Sequence, residues 1–453
     1  MRKTAMQFWG NHRLTRWFVP GLGVKRWLIL MLTGLAMLGL GIGYIQVQVY
    51  RQADVPEIFY YLTLQFVPRL ARALLFGALG ISAFLIGLIR FNATLLNVAR
   101  GNDRQPIIDK LWQQRIGALG PRVVAIGGGH GLSALLRGLK IHTSNITAIV
   151  TVADDGGSSG RLRREYGVLP PGDFRMCIAA LADDESLVTQ LFQYRFGSGA
   201  DAGASALTGH SFGNLFIAAM AELTGSFEKA VIESSRVVAS QGRILPSTLE
   251  DVTLCAEFTD SEAGPAAENP ALSARGESSI GKTGRAIERV WLEPNDPPAF
   301  PDAVRAILDA EIVVLGPGSL YTSVLPNTLV RGIADALGQT KAPVIYVCNV
   351  ATEAGETDGY TLDQHVDALE RHIGRGIIDI VIANDRITSA AGPGIVRPSK
   401  GLAHASARVI GADVVDEAAP NQHDPKKLGS AIMGIIRGGK SAPTATTHVP
   451  GSA

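Results

Sequence analysis

The sequence predicts an α/β fold: a mostly parallel sheet with helices on both faces, carried behind a two-helix membrane hairpin. Three observations predict it. From Arg122 to about residue 385, short β-branched runs alternate with helical segments, the rhythm of a sheet whose crossovers are helices. Glycine-rich turns follow two of those runs. Ahead of them the chain is apolar and basic: residues 1–110 hold thirteen Lys/Arg against four Asp/Glu, a balance of +9, while the remainder carries −8. Such asymmetry marks an anchor or tail attached to an ordinary globular body.

The N-terminal part comes first. Residues 27–50 contain no charge. As a helix they would reach about 36 Å at about 1.5 Å per residue, enough for a bilayer core of about 30 Å. A second apolar run, 73–89, is shorter, but Arg69 and Arg72 before it can snorkel to headgroups, which places a second span at about 70–90. Residues 2–26 carry six Lys/Arg and no acid, and Arg90, Arg100, Arg104 and Lys110 follow the second run. The positive-inside rule then puts both ends in the cytoplasm, giving a multi-pass protein of the cytoplasmic membrane with its body inside. A cleaved signal peptide fits less well, because the run exceeds an h-region and no A-x-A site follows. A buried core helix pair is the plain alternative.

The body follows. Strands are expected at 123–126, 146–152, 312–315, 344–348 and 377–382. Helices are expected at 132–139, 174–181, 187–196, 212–223, 227–239, 303–309, 322–337 and 362–372. Prolines and glycines in 240–300 break the rhythm and suggest a small β-containing insertion in a domain spanning 120–385. Residues 386–437 form a C-terminal extension without an assignable pattern, and 438–453 read as a disordered tail. With 18% charged and 46% hydrophobic residues and a mean hydropathy of +0.18, the chain is too apolar for a disordered or nucleic-acid-coating protein. Cys177, Cys255 and Cys348 have no CxxC spacing, which excludes a disulfide framework and a cysteine zinc site and fits a reducing compartment.

Chemistry is expected at the carboxyl ends of the strands, where ligands of open α/β sheets bind. After the first strand stand Gly127, Gly128, Gly129, His130 and Gly131, followed by an apolar helix. Glycines let the backbone approach a ligand, and a helix N-terminus offers N–H groups to phosphate. The spacing is neither the dinucleotide fingerprint nor a P-loop, and a tight turn without ligand is the bland account. After the second strand, Asp154 and Asp155 point different ways, which suits a sugar hydroxyl or Mg²⁺ better than paired acid–base work. Ser158 and Ser159 add hydroxyls; Arg161 either meets phosphate or lies on a solvated helix face. Asp173 stands at a helix start, where an N-cap is its plain role. His210 and Ser211 adjoin with nothing to supply a triad, so a hydrolase is rejected, while Asn214 is a candidate reader of a base or ring amide. Gly316, Pro317, Gly318, Ser319 and Tyr321 repeat the strand–glycine–helix logic, and two such turns can hold a diphosphate between them. Asn349 and Glu356 follow a third strand end.

With these residues in view, the body resembles the gluconeogenesis factor family, in the same superfamily as 2-phospho-L-lactate transferase. The resemblance rests on 127–132, 153–161, 169–175 with 179–183, 210–214, 316–327 and 355–358, in family order. It implies a Rossmann-like, doubly wound fold with a nucleotide in the crevice. It also implies binding of UDP-sugars, notably UDP-N-acetylglucosamine, in the control of cell-wall precursor supply and cell shape. Carried over residue by residue, nucleotide contact falls to Gly128, Gly129, Gly131, Asn214, Gly318 and Ser319, and a sugar or metal role to Asp154 and Asp155. Two departures stand out. Met176 occupies a position where the resemblance leads one to expect Asn, and residues 1–110 have no counterpart in compact soluble members.

Two functions remain. The first is a membrane-anchored regulator that binds a nucleotide sugar without turnover, requires no cofactor, and acts on a protein partner in amino-sugar or wall synthesis. It binds no nucleic acid, and a homo-oligomer is compatible with it. The second is a transferase moving a phospholactyl group from a nucleotide diphosphate to a deazaflavin precursor, with Mg²⁺ held by Asp154 or Asp155. The run from Gly156 to Gly160, followed by Leu169 to Asp173, favours the first.

Overall fold

The apolar β-branched runs become strands. A computed structural model of the chain describes residues 120–438 apart from 183–186, 198–205, 260–272, 387–393 and 397–406, together with scattered positions between 35 and 85. Its strands are β1 (Val123–Gly127), β2 (Ile146–Val150), β3 (Arg243–Pro246), β4 (Thr253–Phe258), β5 (Ser273–Arg275), β6 (Ile287–Glu293), β7 (Ile312–Leu315), β8 (Val344–Val347), β9 (Ile380–Asn384) and β10 (Arg408–Ala412). Seven of them form one sheet in the order β10-β9-β8-β7-β1-β2-β3, with every neighbouring pair parallel. β1, β7 and β8 are buried along their whole length, as befits strands covered on both faces. Of the insertion expected at 240–300, β5-β4-β6 form a three-stranded antiparallel sheet, whereas β3 pairs with β2 and belongs to the main sheet.

The helices that cover the sheet include α1 (Gly129–Leu139), α2 (Gly157–Tyr166), α3 (Gly172–Leu181), α4 (Leu187–Gln193), α5 (Phe212–Thr224) and α6 (Phe227–Val237). A short α7 (Glu277–Ile280) belongs to the insertion; α8 (Pro301–Leu308) precedes β7. The single helix expected at 322–337 is instead a π-turn, Leu320–Val324, then α9 (Leu325–Thr328) and α10 (Arg331–Gln339). Pro326 has no N–H to continue the ladder, and Val330 is extended, which accounts for the two breaks. α11 (Leu362–Ile373) carries a full capping box from Thr361 and Gln364. α12 (Pro425–Gly438) closes the described chain. The segment 386–437 is therefore structured where described, since it supplies β10 to the main sheet and α12 to its cover.

Strand order is what places the site. From β1 the chain proceeds to β2 and β3 on one side, and later returns to β7, β8, β9 and β10 on the other. The order reverses between β1 and β7, the point at which an open sheet leaves a crevice at its carboxyl edge.

The chain divides into two compact units, Met1–Arg115 and Ile116–Ala453. In the first, scattered described positions are largely helical, with Leu70, Leu74 and Ile81 exposed. Among the described residues no helix is long and apolar enough to cross a membrane. The spans expected at 27–50 and 70–90 lie largely outside the described residues, as do residues 439–453 of the tail.

Candidate functional site

Two glycine turns meet at the reversal. β1 runs into Gly128, which is extended, and Gly129 opens α1 at φ +61. Gly131 faces the other turn so closely that a Cβ would lie 2.5 Å from the Pro317 carbonyl carbon and 2.6 Å from Gly318 N. Only hydrogen fits there. The second turn is held by Asn349: Gly318 N donates to its Oδ1 at 3.2 Å, and its Nδ2 donates to Gly318 O at 2.9 Å. Ser319 caps the π-turn, its hydroxyl donating to the Glu356 carboxylate, with Thr322 Oγ1 3.2 Å from the same group. Asn327 Nδ2 donates to Gly127 O at 3.0 Å and ties the second turn's helix to the end of β1.

Carboxyl groups fill the β2 side of this crevice. Asp154 accepts from Gly156 N at 2.8 Å and from the Ser159 hydroxyl, and burial raises its pKa despite both bonds. Asp173 lies in the first turn of α3, yet its carboxylate accepts from the Gly129 N–H, so it caps α1 rather than its own helix. Burial, then the neighbouring Asp154, pushes its carboxyl up to about 7. Glu277 of α7 is half-buried with its Oε2 enclosed and unpartnered, and desolvation followed by Asp154 and Asp173 raises its pKa well above the usual range. Three carboxyls so placed favour proton retention by at least some of them near neutrality.

The cleft encloses about 540 Å³, within the range of small-molecule sites. Of the residues singled out from sequence, Gly128, Gly129, His130, Gly131, Asp154, Asp173, Gly318, Ser319 and Asn349 line it. Asp155, Ser158, Ser159, Arg161, Asn214, Gly316, Tyr321 and Glu356 do not. Each has another partner or place. Asp155 accepts from Ser278 N at 2.8 Å and fastens the insertion to the end of β2. Asn214, expected to read a base, has both amide atoms occupied: Arg175 Nε donates to its Oδ1 at 3.0 Å, and its Nδ2 donates to Ser158 Oγ at 3.1 Å. Ser158 Oγ also lies 3.0 Å from His210 Nδ1 in this buried cluster. Arg161 donates to Thr208 O at 3.1 Å, Tyr321 OH pairs with Tyr360 OH at 3.0 Å, and Glu356 acts by holding Ser319. Gly316 supplies the positive φ of +74 that starts the second turn.

Sequence reasoning missed Glu277, Asn421, Gln422 and His423, all of which line the cleft, and Ala134, Val350 and Ala351, which give it apolar surface. Met176, noted as a departure, lines it too. Among the described residues, no Lys or Arg lines it. A phosphate here would rely on backbone N–H groups and helix N-termini. Among the described residues no three His, Cys, Asp or Glu side chains gather to hold a metal by themselves. Because Asp155 is turned away, the Asp pair does not form a joint metal-binding set.

A match to the family described as 2-phospho-L-lactate transferase CofD spans residues 123–396. The gluconeogenesis factor of Bacillus subtilis is 48% identical over 264 residues, 58% of this chain and 78% of that protein. A relative from Nostoc sp., described as "Putative gluconeogenesis factor", is 43% identical over 442 residues, 93% of each chain. The crystal structure of a UPF0052 family member from Bacillus halodurans superposes with a TM-score of 0.63 at 42% identity, covering 69% of this chain and 99% of that one. Parallel sheet, paired glycine turns and sequence agree, and the chain belongs to the CofD family, among the homologues of the gluconeogenesis factors.

Proposed function

We propose that the cleft binds a nucleotide sugar of the UDP-N-acetylglucosamine type and that the protein acts as a regulator of cell-wall precursor synthesis and cell shape. One observation carries this reading: two glycine turns, suited to a diphosphate, adjoin a carboxyl-rich end suited to sugar hydroxyls. Turnover is not required by any of these contacts. The regulator engages a protein partner in amino-sugar or wall synthesis, as the resemblance to gluconeogenesis factors suggests. Residues 1–110 anchor it in the cytoplasmic membrane with the body inside. The reading rests on the charge-free run 27–50 and on the basic residues flanking the two apolar runs.

Phospholactyl transfer is the second reading. It draws on the family match and on Asp173, whose carboxyl, pushed up to about 7, lies in the range useful for proton transfer. Under it, Asp154 is the residue that would hold Mg²⁺, which would offset phosphate charge, because Asp155 is engaged elsewhere. Calorimetric titration with UDP-N-acetylglucosamine, GDP and NAD⁺, with and without EDTA, separates the two. Metal-independent binding of UDP-N-acetylglucosamine supports the regulator; metal-dependent consumption of a phospholactyl donor overturns it.

A further inference from the structure

The turn formed by residues 418–424 is a wall of the cleft that the family match, ending at residue 396, does not reach. It is firmly built. Asp416 N donates to Gln422 O at 3.0 Å, Gln422 N to Ala419 O at 2.8 Å, and Asp424 N to Val414 O at 2.9 Å. Lys427 Nζ reaches Asp413 at 3.1 Å and Val415 O at 3.0 Å, while Arg386 joins Asp413 and Glu417. The buried His423 ring lies 3.3 Å from Cys348 O just past β8. Burial lowers its pKa to about 4, so at neutral pH the ring is uncharged and its Nε2–H donates to that carbonyl. Behind the turn, α12 crosses α1 with Gly429 against Gly138, where a Cβ on Gly429 would stand 2.6 Å from Gly138 backbone. The turn is thus fixed to two elements that already shape the cleft.

Chemistry changes from one end of the cleft to the other. Asp154, Asp173 and Glu277 occupy the β2 side, and the glycine turns after β1 and β7 occupy the middle. Asn421 and Gln422, exposed and with side-chain amides unbonded among the described residues, stand at the β8 side beside Val350 and Ala351, where Glu353 supplies a carboxyl. Carboxyls match the hydroxyls of a sugar. An amide presents a donor and an acceptor side by side and can pair with the edge of a base, and the apolar pair gives a flat ring something to lie on; the uracil choice comes from the nucleotide-sugar reading. We propose that Asn421 and Gln422 read the base of the nucleotide, so that the C-terminal turn sets the base preference of the cleft. This rests on the nucleotide-sugar reading.

The test compares the full-length protein with an Asn421→Ala/Gln422→Ala double variant. Both are titrated with UDP, CDP, GDP and ADP, with inorganic pyrophosphate as a base-free control and UDP-N-acetylglucosamine alongside. With two neutral hydrogen bonds at stake, the natural protein should prefer UDP to the purine nucleotides by about 10-fold or more. The double variant should lose that preference and keep its pyrophosphate affinity. An unchanged ranking in the folded variant overturns the proposal. So does a natural protein that binds UDP-N-acetylglucosamine but does not discriminate among bases, and that result leaves the nucleotide-sugar reading standing. If the natural protein binds none of these nucleotides, the nucleotide-sugar reading fails and the proposal fails with it.

Discussion

Replacing Gly129 with alanine adds a methyl group whose nearest neighbour would be Ser323 Oγ at 3.9 Å, with the cleft around it. Nothing in the fold collides with it. The cost comes from holding alanine at φ +61, about 1–2 kcal/mol. Gly131→Ala is different, because its methyl would lie 2.6 Å from Gly318 N and press the two turns apart. Overpacking of that kind costs about 1–3 kcal/mol or more, and it moves the second turn bodily. Urea unfolding with and without UDP-N-acetylglucosamine separates the two effects. At about 100 times Kd the ligand should add about 2.7 kcal/mol to the natural protein. Gly129→Ala should remain folded and gain almost none of this. Gly131→Ala should lose more stability in the absence of ligand. If Gly129→Ala gains as much as the natural protein, its methyl is not in the ligand's volume and the cleft is assigned wrongly. If Gly131→Ala is no less stable than Gly129→Ala, the close approach of the turns is wrong.

Three further outcomes follow from the same geometry. Asp173 keeps its proton between about pH 4 and 7 when folded and releases it when unfolded, so its contribution is complete below that window and lost as pH rises through it. Stability relative to Asp173→Asn should fall by at most about 4 kcal/mol from pH 4 to 7 and then level off; a flat difference in denaturation midpoints would contradict the assignment. Asp154→Asn should weaken UDP-N-acetylglucosamine binding about 10- to 150-fold, with EDTA making no difference, while Asp155→Asn lowers stability and spares affinity. Equal losses of affinity from both variants would place both carboxylates on the ligand. A chain starting near Pro121 should stay in solution without detergent and retain binding; an insoluble product, or digestion of the body by protease outside intact cells, would refute the anchor reading.

Five strands were legible because each carries an unbroken apolar, β-branched run. β3 was hidden by Arg243 and Pro246, which leave two apolar residues between them, and β10 by its position at the sheet edge, where its residues are only partly covered. α2 was hidden by its own glycines. Gly160 leaves no room for a Cβ against Asp155 O, so a residue poor in helix propensity is required inside a helix. The site followed the same logic. Residues at strand ends could be placed from sequence, because strand direction alone carries them to one edge. Ser158, Arg161 and Asn214 were visible as polar groups close to glycines, but whether such a group faces a ligand or a neighbouring side chain depends on packing. Glu277 and Asn421 arrive from an insertion and a C-terminal turn, and no local spacing announces them.

The pairing of β1 with β7 joins Val123 to Ile312, whereas β1 pairs with β2 across one short helical crossover. Closing the long loop costs more chain entropy before any contact rewards it. The first half of the sheet therefore has a head start, and the seam at which the second half docks is where the two glycine turns meet. A ligand lying across that seam grips what assembles late. It should act as a clasp on the finished molecule, slowing its opening while leaving the early steps of folding at their own pace.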